Sequence, residues 1–282
     1  MNASFTEQFF QSKESLRIFY HYRPSAQASH LFVLLHGFAE HSGRYRALLD
    51  WLSAQEPRLS LLAFDLRGHG QSSGARAHVE DFGDFWRDTV ALVRHIQETH
   101  TAPRRLIFCG HSMGGLIALQ GLLKGGGPDA EGLILSSPCL GLPLNPFLKV
   151  LSAGMGSLFP HFYYAKPVHP ENLTSDFTEA RRYAQDPLIQ KKISAGLLYQ
   201  MLLAARQLEM GMPQLNVPAF FLLAGDERIV DLRRSLDFYT RLQAPIKRLR
   251  CFDGFRHEIF NEVHRQIAYD TVLDLVQKIL FS

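Results

Sequence analysis

The sequence predicts an α/β fold: a mostly parallel sheet, with helices on both faces and a helical insertion. Three observations carry this. Short apolar runs with the composition of buried parallel strands recur along the chain. Segments with helical spacing separate them, and that alternation builds parallel sheets covered on both sides. The 282 residues are 46% hydrophobic and 20% charged, an ordinary globular mix long enough for one large core. A single domain over residues 1–282 is expected.

The elements follow in chain order. Leu16 to Tyr22 reads as a strand, and His30 to Leu35 as a buried one. Arg44 to Ala54 places Tyr45, Leu48, Leu49 and Leu52 on one helical face. Leu59 to Phe64 is the next strand. Asp81 to Thr99 is a long amphipathic helix with Phe82, Phe85, Trp86, Val90, Val93 and Ile96 inward. Leu106 to Cys109, Gly132 to Ser136, Ala219 to Ala224 and Lys247 to Phe252 read as strands. Met113 to Lys124, Asp231 to Leu242 and Glu262 to Phe281 read as helices. Gly125-Gly126-Gly127-Pro128 is a helix stop, since no Lys-Ser/Thr pair follows to make a phosphate cradle. Residues 140–212 break the alternation. They show no clear strand and are dense in Leu, Phe and Met, with a second helical stretch from Leu197 to Met210. An insertion of this length between two strands is usually a functional cap, the alternative being a plain helical extension of the core.

Composition excludes several classes. The net charge of +3, with scattered arginines, gives no nucleic-acid footprint. The start of the chain, Met1 to Glu7, lacks the basic and apolar regions of a signal peptide. No apolar stretch reaches the roughly 18 residues of a membrane span. Cys109, Cys139 and Cys251 each sit in apolar segments and are expected to be buried free thiols, which favours a cytoplasmic setting. No His/Cys cluster has metal-ligand spacing, so neither a metal nor an organic cofactor is expected.

Gly110-His111-Ser112-Met113-Gly114 spells G-x-S-x-G between a predicted strand and a predicted helix. That context makes Ser112 a nucleophile on a strained turn, exposed at the head of the sheet. A serine hydroxyl needs a base, and the base needs an acid to orient it. The chain order expected in this topology is serine, acid, histidine. Asp226 follows a strand and Gly225, and so fits the acid; Asp231, Asp253 and Asp65 are rivals, with Asp231 better read as a helix cap. His257 follows the last strand and fits the base. Among the thirteen histidines, His36, His41, His69, His111 and His264 also lie near motifs. The oxyanion donors expected are the backbone N–H groups of Phe38, after the His36-Gly37 turn, and of Met113.

Three longer stretches carry a resemblance. They are His36-Gly37-Phe38-Ala39-Glu40-His41-Ser42-Gly43-Arg44-Tyr45, Phe64-Asp65-Leu66-Arg67-Gly68-His69-Gly70-Gln71-Ser72, and Gly110 to Gly115. With Gly225-Asp226 and Arg256-His257-Glu258, the chain resembles the monoacylglycerol lipase and lysophospholipase group of the α/β-hydrolase fold. The resemblance implies a mostly parallel sheet of eight strands, Ser112, Asp226 and His257 as a triad, and Phe38 and Met113 as oxyanion donors. It further implies Arg44, Glu40 and His41 at the polar, glycerol end. The ester of a single-chain lipid is then the expected substrate, with the cap touching a membrane surface transiently. Phe38 is bulkier than the residue often found there. Lysophospholipase, carboxylesterase and thioesterase activity stay open. An aminopeptidase using Glu171 or Glu179, and a non-catalytic lipid-binding module, are further alternatives.

Overall fold

The computed structural model describes residues 4–12, 15–100, 102–125, 127–165 and 168–281, and the side chains of 146 and 149 are not described. The readings placed on Met1 to Ala3 and on Gly126 lie outside those residues.

The strands are β1 Thr6–Gln11, β2 Arg17–Arg23, β3 His30–Leu35, β4 Leu59–Phe64, β5 Arg105–His111 and β6 Ala130–Ser136, followed by β7 Tyr163–Ala165, β8 Lys192–Ser194, β9 Ala219–Ala224 and β10 Lys247–Phe252. The helices are α1 Arg46–Gln55, α2 Gly83–Thr99, α3 Met113–Lys124, α4 Pro146–Leu158, α5 Pro170–Leu173, α6 Phe177–Gln185, α7 Ala195–Gln207, α8 Leu232–Arg241 and α9 Gln266–Leu280. Short 3₁₀ turns, Ser42–Tyr45 and Ile259–Asn261, precede α1 and α9. Eight strands form one sheet in the order β1-β2-β4-β3-β5-β6-β9-β10. From β4 onward the pairing is parallel; β1 and β2 are antiparallel.

Alternate residues of β3 serve two cores. Leu31, Val33 and Leu35 pack toward α2, α3 and α7, whereas Phe32 and Leu34 pack toward α1 and α9. A strand buried on both faces has no polar side to present, which is why β9 is a continuous apolar run and β3 and β4 carry one polar residue each, His30 and Ser60. Their predicted limits match the structure.

Other expectations need correction. β1 was not visible in the sequence because it is a mostly exposed edge strand held by pairing with β2. Residues 140–212, which lie between β6 and β9, contain two strands after all: β7 and β8 pair antiparallel over three residues each. Strands that short bury too little to leave an apolar pattern. Cys251 is exposed, since β10 is the other sheet edge and alternates outward, while Cys109 and Cys139 are buried. Asp231 caps α8 as expected, accepting from Arg233 N. No helix among the described residues is long and apolar enough to cross a membrane.

Candidate active site

The loops beyond the carboxyl ends of β3, β5, β9 and β10 meet over α3. Ser112 sits on the turn between β5 and α3, with φ 51° and ψ −115°. This left-handed conformation costs a non-glycine residue about 1–3 kcal/mol, and the surrounding packing holds it. Gly114 shows how tight that packing is: a Cβ there would lie 2.3 Å from Leu35 O and 2.5 Å from His36 O. The β3 loop and the first turn of α3 are thereby pressed together. Met113 is the first residue of α3, so its N–H has no partner inside the helix. A cavity of about 190 Å³ opens here, lined by Phe38, Ser112, Leu142, Met201, Arg228 and His257, among others.

His257 is 2% exposed, and its Nδ1 lies 2.8 Å from Glu227 Oε2. Asp226, expected as its acid, points elsewhere. Its carboxylate is half-exposed and pairs with Arg228 at 2.6 Å and Arg256 at 3.6 Å. Successive side chains diverge as the chain leaves β9, so a one-residue step moves the carboxylate from solvent to site. Glu227 is fixed by its own loop: its Oε1 accepts from Ile229 N at 2.7 Å and Val230 N at 3.1 Å. Sequence reasoning missed it because Asp226 occupied the first position after Gly225. The available signal was the Arg228 beside it, a surface partner for one acid only.

The electrostatics suit a base and its orienter. Burial disfavours a charged His257, but Glu227, with Glu258 and Glu40 behind it, outweighs this and holds the pKa above the ordinary histidine value. Burial likewise pushes the Glu227 carboxyl up, yet the His257 charge and hydrogen bond, with the two backbone donors, bring it below the usual glutamate range. Glu227 is thus a carboxylate across the neutral range.

The other predicted residues are brought close but not into the cavity in the expected way. Glu40 lines it, and its Oε1 accepts from Gly37 N at 2.6 Å and from Tyr45 Oη at 2.5 Å. Arg44 donates to Glu40 Oε2 at 3.1 Å and to Glu258, and its guanidinium lies over the Tyr183 ring. Its side chain is 6% exposed and committed to these partners rather than open toward a glycerol head group. Burial pushes the Glu40 carboxyl up, as does neighbouring Glu258, against the pull of Arg44. His41 pairs with Asp186 at 2.8 Å, on another face. These three residues connect the loop carrying Phe38 to the loop carrying His257 and to the insertion.

The rival histidines and acids take structural positions. His36 spans Gly37 O and Leu66 N, and burial lowers its pKa to about 3. His69 is likewise lowered by burial to about 3, with Nδ1 on Arg67 O. His111 bonds Ser136 Oγ at 3.0 Å and packs against the His257 ring at 4.7 Å between centroids. His264 and Asp253 are exposed. Asp65 accepts from Ser42 and Gln71, bracing two loops.

A serine on a strained strand-to-helix turn, a carboxylate-oriented histidine and an eight-stranded sheet together define an α/β-hydrolase. Residues 26–264 match the Hydrolase_4 model, described as serine aminopeptidase, S33, and the chain belongs to that family. It is 32% identical over 251 residues to the monoglyceride lipase of Homo sapiens, covering 86% of this chain and 80% of that one. It is 30% identical over 246 residues to phospholipase YtpA of Bacillus subtilis, covering 85% and 92%. The structure of a soluble variant of Saccharomyces cerevisiae monoglyceride lipase shares the fold with a TM-score of 0.85 and 21% identity, over 99% of this chain and 96% of that one. The chain also matches the uncharacterized Escherichia coli protein YnbC at 27% identity, but spans only 47% of its length.

Proposed function

We propose that the protein is a serine carboxylic-ester hydrolase acting on a single-chain lipid, with monoacylglycerol as the leading substrate. The observation that carries this reading is the 2.8 Å bond from Glu227 to a buried His257, facing the same cavity as the strained Ser112. Ser112 attacks the ester carbonyl and His257 takes its proton. The Phe38 and Met113 N–H groups receive the developing oxyanion. His257 then protonates the leaving alcohol and activates water against the acyl-enzyme, while Glu227 stays ionised and holds the ring. The insertion over residues 140–212 acts as a cap. Leu142 and Met201 supply apolar walls, and the similarity to monoglyceride lipase supports the lipid substrate.

A second reading, a lysophospholipid substrate, is favoured by Arg228 at the cavity wall and by the similarity to phospholipase YtpA. Amine recognition has the family's description on its side but, among the described residues, no free glutamate at the cavity. Glu171 pairs with His169, and Glu179 with Arg182 and Arg265. Neither lines the cavity, and the two glutamates that do, Glu40 and Glu258, are bonded to Arg44.

A fluorophosphonate probe is expected to label the wild type at Ser112. Ser112→Ala should lose labelling and about 10⁴-fold or more in ester turnover, with its melting temperature retained. Wild-type turnover in Ser112→Ala would reject the mechanism. Comparing kcat/KM on monoacylglycerols and lysophospholipids decides between the two substrates.

A further inference from the structure

Beside the first turn of α7, three side chains converge that the proposed hydrolytic machinery does not use. His78 Nε2 lies 3.0 Å from Glu80 Oε1, and His161 Nε2 lies 3.2 Å from the same oxygen. All three ligand atoms fall within 4.8 Å of one another. His78 and Glu80 belong to the loop before α2; His161 belongs to the insertion, just before β7.

We propose that His78, Glu80 and His161 form a site for a zinc-class divalent cation that ties the insertion to the body of the protein. Two imidazoles and one carboxylate are a borderline donor set, suited to Zn²⁺ over Mg²⁺ or Ca²⁺. Ligand bonds of about 2.0–2.1 Å at a tetrahedral angle give N···O edges of about 3.3 Å, and the two separations here are within a few tenths of that. A small outward shift of exposed Glu80 admits the ion. Without a cation, one carboxylate oxygen must accept from both Nε2–H groups. With one, both Nε2 lone pairs and the carboxylate converge on a single point, and a fourth position stays open to water.

The supporting shell is in place. His78 Nδ1 lies 2.8 Å from Ser194 Oγ, the partner that fixes Nε2 as the ligand atom. Every ligand-bearing loop is bonded to the segment from 194 to 200. Ser194 N donates to Ala77 O, Gly196 N to Pro160 O, and Ala195 N to Phe162 O. Gln200 Nε2 donates to Glu80 O at 2.8 Å. Ala77, next to His78, is held at φ 48°. A Cβ at position 196 would meet His78 Cε1 at 3.0 Å, so Gly196 allows the ring its close approach. The backbone that carries the ligands is therefore fixed, and the His78 ring with it, while the exposed Glu80 and His161 side chains can adjust to an ion. Because α7 also carries Met201 into the catalytic cavity, the ion would brace the wall that meets the substrate. The sequence hides the site because His161 is far along the chain from His78-x-Glu80.

The test uses the full chain stripped of metal with a chelator, titrated with Zn²⁺ by calorimetry and with Co²⁺ by visible absorption. Expected are one equivalent bound, a tetrahedral Co²⁺ spectrum, and a melting temperature raised by several degrees at saturation. His161→Ala, at an exposed position, and Glu80→Gln should each weaken binding at least tenfold and remove the thermal shift. Absence of saturable binding overturns the site. So does binding that persists unchanged in His161→Ala, or that disappears in Cys251→Ser, which would place the metal on the exposed thiol.

Discussion

The loops at the carboxyl end of the sheet and the insertion over residues 140–212 lie against each other but are built on opposite rules. In the loops, Glu40, His111, His257 and Glu258 are buried, the Glu227 side chain is 1% exposed, and each is bonded to a named partner. In the insertion, Phe147, Val150 and Leu158 are each 73% exposed, and a groove of about 340 Å³ runs between α4 and α7 with Leu148, Met155 and Leu198 in its walls. The contrast teaches where each task sits. Charge must be aimed to within a fraction of an ångström, and buried networks do that. In the proposed reaction a flexible apolar chain needs only an apolar surface, and the exposed Leu, Phe and Val side chains of the insertion would supply one.

The sharpest way to break this comparison is at the two neighbouring acids. Glu227→Gln should cost about 10²–10⁴-fold in kcat, while Asp226→Asn should change it less than about threefold. The pH profile separates orientation from folding. Because the His257 pKa is raised, its neutral, basic form is lost as pH falls through a value above the ordinary ~6.5, so the acid limb of kcat/KM should lie above that point in the wild type. Removing the Glu227 charge removes the main raising influence, and the limb should move to lower pH. An Asp226→Asn variant as impaired as Glu227→Gln would undo the assignment.

Next in size is the buried ion cluster. Arg44→Ala leaves Glu40 and Glu258 facing each other without their cation, and unfolding free energy should fall by about 3–5 kcal/mol. Denaturant titration reads this directly. If Arg44→Ala keeps its stability and only raises KM, the head-group role implied by the family resemblance is restored. The smallest effect is expected in the insertion. Phe147→Ser with Val150→Ser should lower kcat/KM on long-chain esters by about tenfold and leave a short soluble ester within about twofold. An equal loss on both substrates would show that the insertion shapes the chemistry itself.

Legibility in the sequence follows the same division. β3, β4 and β9 are bounded in the sequence where they are bounded in the structure, because strands buried on both faces must be almost wholly apolar. The strained turn at Ser112 was legible because it requires small neighbours in a fixed pattern, and His257 stood out as the proposed base because the chain order leaves few places for one. The register of the acid was not. Asp226 and Glu227 are equivalent as chemistry, and only the direction each side chain takes after β9 separates them. Arg44 reads as a substrate residue in a loop motif, yet Glu258, distant in sequence, claims it.

The sequence by itself determined the layered α/β architecture and pointed to the proposed nucleophile and base, since each rests on local periodicity or local turn geometry. Tertiary structure alone decided that Glu227, not Asp226, bonds His257, that Arg44 braces two loops, and that His78, Glu80 and His161 meet. Those facts depend on where distant segments are brought together, and a contact between distant segments leaves no period in the chain.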